Sequence, residues 1–346
     1  MKNQLLVLSL LFSLVACGGS GGAGSPSPAP VPTPPAPVPA PPAPTPAACT
    51  GSPVVTDATA YIGVMPNGLM STWRFDTASK TAAGNIIGTT FSETLTQDSA
   101  TCSYTGSQTG ALKTSFLPNG LGVTAVAYSG TTMPVFLITN PESDITKLAG
   151  TYNVLRYTTE VTANTVVTSD YATFNVDNSG NWALCPNEAF TTNCGGPSGS
   201  LSAHNGGGFD IILNGSGVGR LLVNDVGASK VMVVAISNPI SQNDIVTGMW
   251  VGATNDAFVS GANDGTYITD TTDPEADVIT VAGLSASTGS QSATLIANNP
   301  AQGMFTVSTG QTPQNVGFVS SLGLFATTSQ ATGAGAFLQF GVKQIK

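Results

Sequence analysis

The sequence of 346 residues is poor in charge and in histidine. Charged residues make up 8% of the chain, and the single histidine is His204. The 10 Lys and Arg against 19 Asp and Glu give a formal net charge of −9, so the chain lacks the basic stripe that a nucleic-acid partner requires. Hydrophobic residues nevertheless make up 41% of the chain, and their spread after residue 50 excludes wholesale disorder. We expect a compact protein whose surface is rich in Thr, Ser, Asn and Gln.

The residues that carry common catalytic chemistry are also scarce. A serine hydrolase needs a base, normally histidine, and His204 lies in a Gly-rich loop at residues 202–208. The sequence contains neither a Cys/His cluster for zinc or copper nor a phosphate-binding Gly-rich motif. Residues 18–22, GGSGG, match the letters of the G-x-S-x-G motif, but they lie in a linker without the strand and helix that this motif requires. We therefore predict no catalytic residue, no metal and no cofactor.

Acidic residues are concentrated in one region. Six of the 19 acids fall between residues 256 and 277: Asp256, Asp264, Asp270, Asp273, Glu275 and Asp277. The favoured interpretation is a solvated acidic loop. Weak Ca²⁺ binding is left open, although the spacing is not that of an EF-hand. A hydrolase would need two of these carboxylates to converge about 5–10 Å apart in a cleft.

The first 17 residues carry an export signal. Lys2 precedes an apolar run at residues 5–16, whose helical length of about 18 Å is too short for a bilayer core of about 30 Å. Leu14-Val15-Ala16-Cys17 resembles the lipobox of bacterial outer-membrane lipoproteins. The resemblance implies a signal peptide at residues 1–16, a diacylglycerol and an N-acyl chain such as palmitate on Cys17, and, because Gly18 follows the cysteine, an outer-membrane destination.

A linker is predicted at residues 17–48. Its first part is rich in Gly and Ser, and 12 of the 23 prolines fall between Pro26 and Pro46. A polyproline II conformation, at about 3.1 Å per residue, would extend this part to roughly 65 Å. We interpret the linker as a disordered spacer that holds the folded body away from the lipid anchor.

The four remaining cysteines, Cys49, Cys102, Cys185 and Cys194, are predicted to form disulfides, because their number is even and the protein is exported. Four cysteines allow three connectivities, and their order along the chain favours Cys49–Cys102 and Cys185–Cys194.

Alternating apolar and polar residues predict antiparallel β-strands. Trp73 and Phe75 alternate with polar residues, and residues 231–236 are apolar on both faces, as in a central strand. Residues 177–180, DNSG, predict a hairpin turn. The best helical candidate is the short segment 141–148. The predicted fold is all-β, with antiparallel β-barrel or β-sandwich modules in tandem after the Pro-rich linker.

An internal repeat divides the body. Residues 135–141 are echoed by residues 233–239, and Gly150 and Gly248 are 98 residues apart. Both echoing segments end in Asn-Pro, which predicts the end of a strand because proline has no N–H for the ladder. We predict three β modules, at residues 49–146, 147–244 and 245–346. The openings Gly150-Thr151-Tyr152 and Gly248-Met249-Trp250 resemble the first strand of lipocalin-type (calycin) barrels, which implies barrel modules.

These features predict an outer-membrane-anchored lipoprotein that acts as a non-enzymatic binding module on the cell envelope. Its partner would be a protein, a glycan or a small apolar ligand, with loops 186–208 and 255–277 as the contact surface. The alternatives are a structural or assembly subunit of an envelope complex and, least favoured, a carboxylate-based hydrolase. Whether the body faces the cell surface or the periplasm is left open.

Overall fold

A computed structural model describes residues 49, 52–107, 112–161, 165–241, 244–272, 276–289, 291–308 and 314–345. In these ranges the chain forms 25 β-strands and two 3₁₀ helices of three residues each. The prediction of an all-β fold is confirmed. No helix of the described ranges has the length and apolar character needed to cross a bilayer. The predicted signal peptide, Cys17 and the predicted linker lie outside the described residues.

The first sheet has eight antiparallel strands in up-and-down order. They are β1 (Ala60–Val64), β2 (Met70–Asp76), β3 (Thr81–Ile86), β4 (Thr89–Gln97), β5 (Tyr104–Gly106), β6 (Ser115–Phe116), β7 (Leu121–Tyr128) and β8 (Thr131–Thr139). β1 pairs with β2 and with β8. A bridge between Tyr104 of β5 and Thr114, next to β6, brings the two ends of the sheet together.

The second sheet closes into a barrel. Its strands are β9 (Gly150–Val161), β10 (Thr165–Val176), β11 (Asn181–Pro186), β12 (Ser198–Ala203), β13 (Phe209–Leu213), β14 (Ser216–Val226), β15 (Ser229–Ser241) and β16 (Asp244–Thr254). Each strand pairs with the next, and β16 pairs back onto β9. The predicted turn at 177–180 joins β10 to β11, with Gly180 at φ +78°. The segment 141–148 contains one 3₁₀ turn, Ile145–Lys147.

The third sheet is also a closed barrel of eight strands. They are β17 (Gly265–Thr271), β18 (Ala276–Ala282), β19 (Ser285–Thr288), β20 (Gln291–Ala297), β21 (Met304–Ser308), β22 (Val316–Val319), β23 (Leu324–Thr328) and β25 (Leu338–Lys343). The short β24 (Ala331–Thr332) precedes the second 3₁₀ turn, Gly333–Gly335, and pairs with β10 of the second barrel. Of the two predicted architectures, barrels in tandem are therefore the one observed.

The second barrel ends later in the chain than the repeat predicts. All of β16 except Asp244 lies beyond the predicted boundary between residues 244 and 245, yet this strand pairs with β15 and β9. The Asn-Pro pair at 238–239 was expected to end a strand as the pair at 140–141 does, but β15 continues to Ser241. The register shifts between Pro239 and Ser241, and such an irregularity accommodates a residue without an N–H. The sequence repeat therefore relates β8, the eighth strand of the first barrel, to β15, the seventh strand of the second barrel.

Each barrel interior is filled by its own apolar cluster. Trp73, Phe75 and Phe116 lie in the first interior, and Phe174 and Trp182 lie in the second. The third interior contains Tyr267, Phe305 and Phe325. The alternation of apolar residues read from the sequence thus corresponds to side chains that point into the barrels.

A further cluster of buried side chains joins the outer faces of the three barrels. It includes Phe136 of β8, Val233 of β15 and Phe340 of β25, each fully buried, and the rings of Phe136 and Phe340 lie 5.8 Å apart between centroids. In β15, residues 231, 233 and 235 face this shared core, whereas residues 232, 234 and 236 face the interior of the second barrel. The predicted central strand is therefore buried on both faces, and the barrels form one body.

Candidate functional site

An open groove of about 430 Å³ lies where the first barrel meets the outer wall of the second. One side comes from the first barrel, with Gly68 in the β1–β2 loop and Met70 at the start of β2. The floor and the other side come from β13, β14, β15 and the loop after β12 of the second barrel. Ligand sites are typically concave surfaces of about 300–1,000 Å³ with a few convergent polar groups, so the groove has the size of a binding site.

Glycines give the groove its shape. Gly68, at φ +76°, brings the β1–β2 loop so close to β15 that a Cβ atom there would collide with the Ile236 carbonyl oxygen. Gly217 and Gly219 lie in the groove lining on β14. A Cβ atom on Gly217 would meet no heavy atom within 4 Å, so open space lies above this position. At Gly217, no described side chain therefore covers the outer wall of the second barrel.

Three side chains that carry or can carry charge line the groove: His204, Asp210 and Arg220. His204 Nδ1 lies 2.8 Å from Asp210 Oδ1. Asp210 and Arg220 are direct partners across β13 and β14. The His204 and Asp210 side chains are 35% and 39% exposed, so solutes can reach both groups.

Arg220 is held by neutral groups. Its Nη2 donates to the carbonyl oxygens of Gly207 at 2.6 Å and Gly206 at 3.3 Å. Its Nε is buried and has no hydrogen-bond partner in the described part of the chain. Burial lowers the pKa of Arg220, and the Asp210 carboxylate acts in the opposite direction. Because a guanidinium remains protonated in proteins, the site holds a partly desolvated cation with incomplete compensation.

A second polar cluster lies inside the second barrel. Asp170, Arg156 and Trp250 are opposite one another across β10, β9 and β16. Arg156 donates to both carboxylate oxygens of Asp170, at 2.7 Å from Nε and 2.6 Å from Nη2, and its guanidinium carbon lies 5.8 Å from the centre of the Trp250 ring. Trp250 also packs against the interior apolar cluster. These three side chains therefore form a polar layer beside the apolar side chains that fill the second barrel.

Asp270 differs from the predicted solvated loop, because it lies in β17 and is fully buried. The backbone N–H of Lys113, from the first barrel, donates to its Oδ1 at 2.9 Å, and Oδ2 has no hydrogen-bond partner among the described residues. Burial raises the pKa of Asp270 well above its ordinary value, against the opposing effect of that hydrogen bond. The prediction of a solvated position is wrong here because the outer face of β17 packs between barrels.

The remaining acids of this region have separate environments. Asp256 accepts hydrogen bonds from Ser229 and Thr254 side chains, at 3.1 and 2.9 Å. Asp264 accepts from the Gly283 backbone N–H at 2.7 Å, and Asp277 accepts from the Gln339 amide at 3.3 Å. Asp273 and Glu275 lie outside the described residues. The described acids therefore do not act as one cluster.

The two loops predicted as one contact surface also separate. Loop 186–208 contains β12, whose ends leave segments 187–197 and 204–208. Because consecutive connections of an up-and-down barrel alternate between its ends, segment 187–197 lies at one end of the second barrel. Segment 204–208 and the chain after Thr254 lie at the other end. Only the His204 segment contributes to the groove.

Both favoured disulfides are present. Cys49–Cys102 ties the start of the body to the β4–β5 connection, and Cys185–Cys194 closes the loop between β11 and β12. Within the described ranges, one group of possible metal-ligand atoms was found, Cys185, Glu188 and Cys194. Its two sulfur atoms are bonded to each other, so they are not thiolate ligands. Cys17 lies outside the described residues.

Comparisons with known proteins give weak similarities. No family model and no curated protein matches the chain. A solved protein of unknown function from the DUF3598 family of Nostoc punctiforme is 12% identical over 58% of this chain and 98% of that chain, with a TM-score of 0.19. The structure of intact Ap-TbpB, with its N and C lobes, is 10% identical over 80% of this chain and 67% of that chain, with a TM-score of 0.20. Similarity at these scores carries no functional argument.

Proposed function

We propose that this chain is a lipid-anchored, non-enzymatic binding protein of the bacterial outer membrane. The observation that carries the proposal is the groove, which places His204, Asp210 and Arg220 in an accessible depression at the junction of two barrels. Binding residues placed on strands of a rigid scaffold are held in position by the sheet, which lowers the entropic cost of association. The groove is the part of the body that we expect to contact a partner.

The packing of the barrels favours recognition on the outer surface. The interiors hold buried aromatic side chains such as Trp73, Phe174 and Phe305, so an apolar ligand inside a barrel would have to displace them. Of the predicted ligand classes, a glycan or a protein therefore fits better than a small apolar molecule in a lumen.

The anchor part of the proposal is supported by the sequence. The lipobox-like tetrad at residues 14–17 supplies the acylation site, and the Pro-rich linker supplies the distance from the membrane. Acyl chains contribute about 0.8 kcal/mol per buried CH₂ group, so several chains hold a protein at a bilayer without a spanning segment. The Cys49–Cys102 disulfide attaches the end of this linker to the first barrel.

The anchor is tested by expressing the full sequence in a Gram-negative host, alongside the variant Cys17→Ala. We expect the envelope protein to start at residue 17, with a mass increased by a diacylglycerol and an acyl chain. The variant is expected to lose the added mass and to leave the outer-membrane fraction. An unmodified amino terminus in the unaltered protein would contradict the proposed anchor.

The binding site is tested by filling the groove. Gly217→Trp places a large side chain in the open space of the groove, and Gly195→Trp is the matched control, since a Cβ atom there also meets nothing within 4 Å. Each protein is cross-linked in intact envelopes, purified through an affinity tag, and analysed for proteins and glycans. We expect a ligand shared by the unaltered protein and the control to be lost from Gly217→Trp. A ligand retained by Gly217→Trp would show that the groove is not the site.

A further inference from the structure

We propose that the groove binds an oxyanion, a carboxylate or phosphate group of an envelope glycan or lipid head group, and that protonation of His204 controls this binding. The inference rests on the proposed function, because it names the ligand chemistry of the same groove. Arg220 supplies the fixed positive charge and His204 the variable one, while Asp210 lies opposite Arg220 in the sheet and within hydrogen-bond distance of His204.

The charges of the groove determine when an anion is attracted. When His204 is neutral, the positive charge of Arg220 and the negative charge of Asp210 sum to zero, and the Asp210 carboxylate repels an incoming anion. With protonated His204, the three groups sum to one positive charge. The charge state of His204 therefore decides whether the groove attracts an anion.

The β1–β2 loop and β15 bring no charged side chain to the groove. Residues 65–69 of the loop and Met70 of β2 have no ionisable side chain, and the β15 residues that line the groove are Ala235 and Ser237. The segment before β9 reaches the Gly-rich loop, where the Gly208 backbone N–H donates to the carbonyl oxygen of Glu142. The Glu142 carboxylate is paired there with Lys147 at 2.9 Å, and the neighbouring Asp144 carboxylate accepts hydrogen bonds from the backbone N–H and the hydroxyl of Thr146.

The state of Arg220 favours an oxyanion over a neutral ligand. Its contacts with the carbonyl oxygens of Gly206 and Gly207 fix the guanidinium but do not neutralise it. Because Nη2 donates to these carbonyl oxygens and Nε is buried, Nη1 is the nitrogen left to donate to an oxyanion. Such charge-assisted hydrogen bonds are about twice as strong as neutral ones. A bound oxyanion would complete the compensation of this partly desolvated cation.

The test uses the single histidine as a reporter, because the imidazole NMR signals of the full-length protein, purified from envelopes in detergent, come from the groove alone. The protein is titrated at pH 5.5 and pH 8 with glucuronate, with inorganic phosphate, and with uncharged glucose. We expect a saturable shift with at least one of the two anions and none with glucose. Binding is expected to be at least about tenfold weaker at pH 8 than at pH 5.5, because the groove has a net positive charge only when the His204 imidazole is protonated. Equal affinity at the two pH values would overturn the control by His204.

Two variants separate the groove from general charge effects. Arg220→Gln is expected to abolish the saturable shift, while Arg74→Gln, which removes a guanidinium that donates to the Asp57 carbonyl oxygen on the first barrel, should retain it. Asp210→Asn removes the opposing charge and should strengthen binding at pH 8. Far-UV circular dichroism confirms that each variant is folded. The proposal is overturned if neither anion gives a saturable shift, or if Arg220→Gln responds as the unaltered protein does.

The two anions also identify the source of the ligand. Tighter binding of glucuronate indicates an acidic glycan, and tighter binding of phosphate indicates a phosphorylated head group or glycan. If Gly217→Trp loses an envelope ligand but neither anion binds, the groove is the site and its ligand chemistry is different from that proposed. If anions bind as expected while the envelope ligand is retained by Gly217→Trp, the anion site stands and the assignment of the partner to the groove fails.

Discussion

Truncation of one ring in the third barrel is expected to destabilise all three barrels. Phe305 is fully buried inside the third barrel, where its ring centroid lies 5.9 Å from that of Phe258 and 6.0 Å from that of Phe325. Phe305→Ala should lower the free energy of unfolding by about 3–5 kcal/mol, the usual cost of removing such a side chain. This residue belongs to the interior cluster of its own barrel, so any effect on the other barrels must pass through the shared core.

The size of the shared core predicts that the three barrels unfold together, so the destabilisation caused by Phe305→Ala should reach the other two barrels in full. Seven side chains larger than alanine enter it from the third barrel: Met304, Val316, Phe318, Leu324, Leu338, Phe340 and Val342. At about 1.5–3 kcal/mol for each buried side chain, they contribute roughly 10–20 kcal/mol. This is comparable to or larger than the total stability of a typical domain, about 5–15 kcal/mol, so the third barrel should not unfold while its neighbours remain folded.

Tryptophan fluorescence measures the coupling because the three tryptophans lie in the other barrels, Trp73 in the first and Trp182 and Trp250 in the second. In urea, the fluorescence transition of Phe305→Ala should shift together with the far-UV circular dichroism transition. Ile296→Ala, at a position of the third barrel that is 43% exposed, is the control and should change stability by less than about 0.5 kcal/mol. An unshifted fluorescence transition, with an earlier separate transition in circular dichroism, would refute the reasoning.

Three further perturbations test individual contacts. Burial raises the pKa of Asp270, so the folded protein retains a proton that the unfolded carboxyl, with a pKa of about 3.9, has released. The stability contributed by this group therefore falls as the pH rises above about 4, and Asp270→Asn should remove that slope and raise the melting temperature at pH 8. Gly68→Ala should lower the urea midpoint more than Gly88→Ala. Both glycines have positive φ, so either substitution adds about 1–2 kcal/mol of backbone strain, but the new Cβ atom at position 68 would also collide with the Ile236 carbonyl oxygen of β15. Arg156→Met should cost about 1.5–3 kcal/mol by leaving Asp170 unpaired, and adding Asp170→Leu should recover most of the loss in a thermal melt.

Much of the strand pattern could be predicted because a strand places alternate side chains on opposite faces. Trp73 and Phe75 were assigned to one face, and both lie inside the first barrel. Residues 231–236 were predicted to be buried on both faces, and they contact two different cores. The turn at 177–180 followed from local backbone preferences, with Gly180 at positive φ. These features depend on residues close together in the sequence.

The junction and the groove depend on distant contacts that such patterns do not encode. The Asn-Pro pair at 238–239 was interpreted as a strand end, but pairing with β16 extends β15 past it. His204, Asp210 and Arg220 meet because of the register of β13 and β14 and the loop before them. A carboxylate six residues after the histidine, with the Gly-rich segment 206–208 between them, was the available signal, and it gained meaning only once that register was known.

The groove is a product of the tandem arrangement. His204, Asp210 and Arg220 belong to the second barrel, whereas the facing wall, with Gly68 and Met70, belongs to the first. The shared core places these two surfaces together, and the close approach of Gly68 to β15 sets their separation. Neither barrel alone would therefore enclose the groove. Packing the barrels through their outer faces thus both stabilises the body and creates a binding surface, which explains how barrels with filled interiors can still provide a site for a ligand.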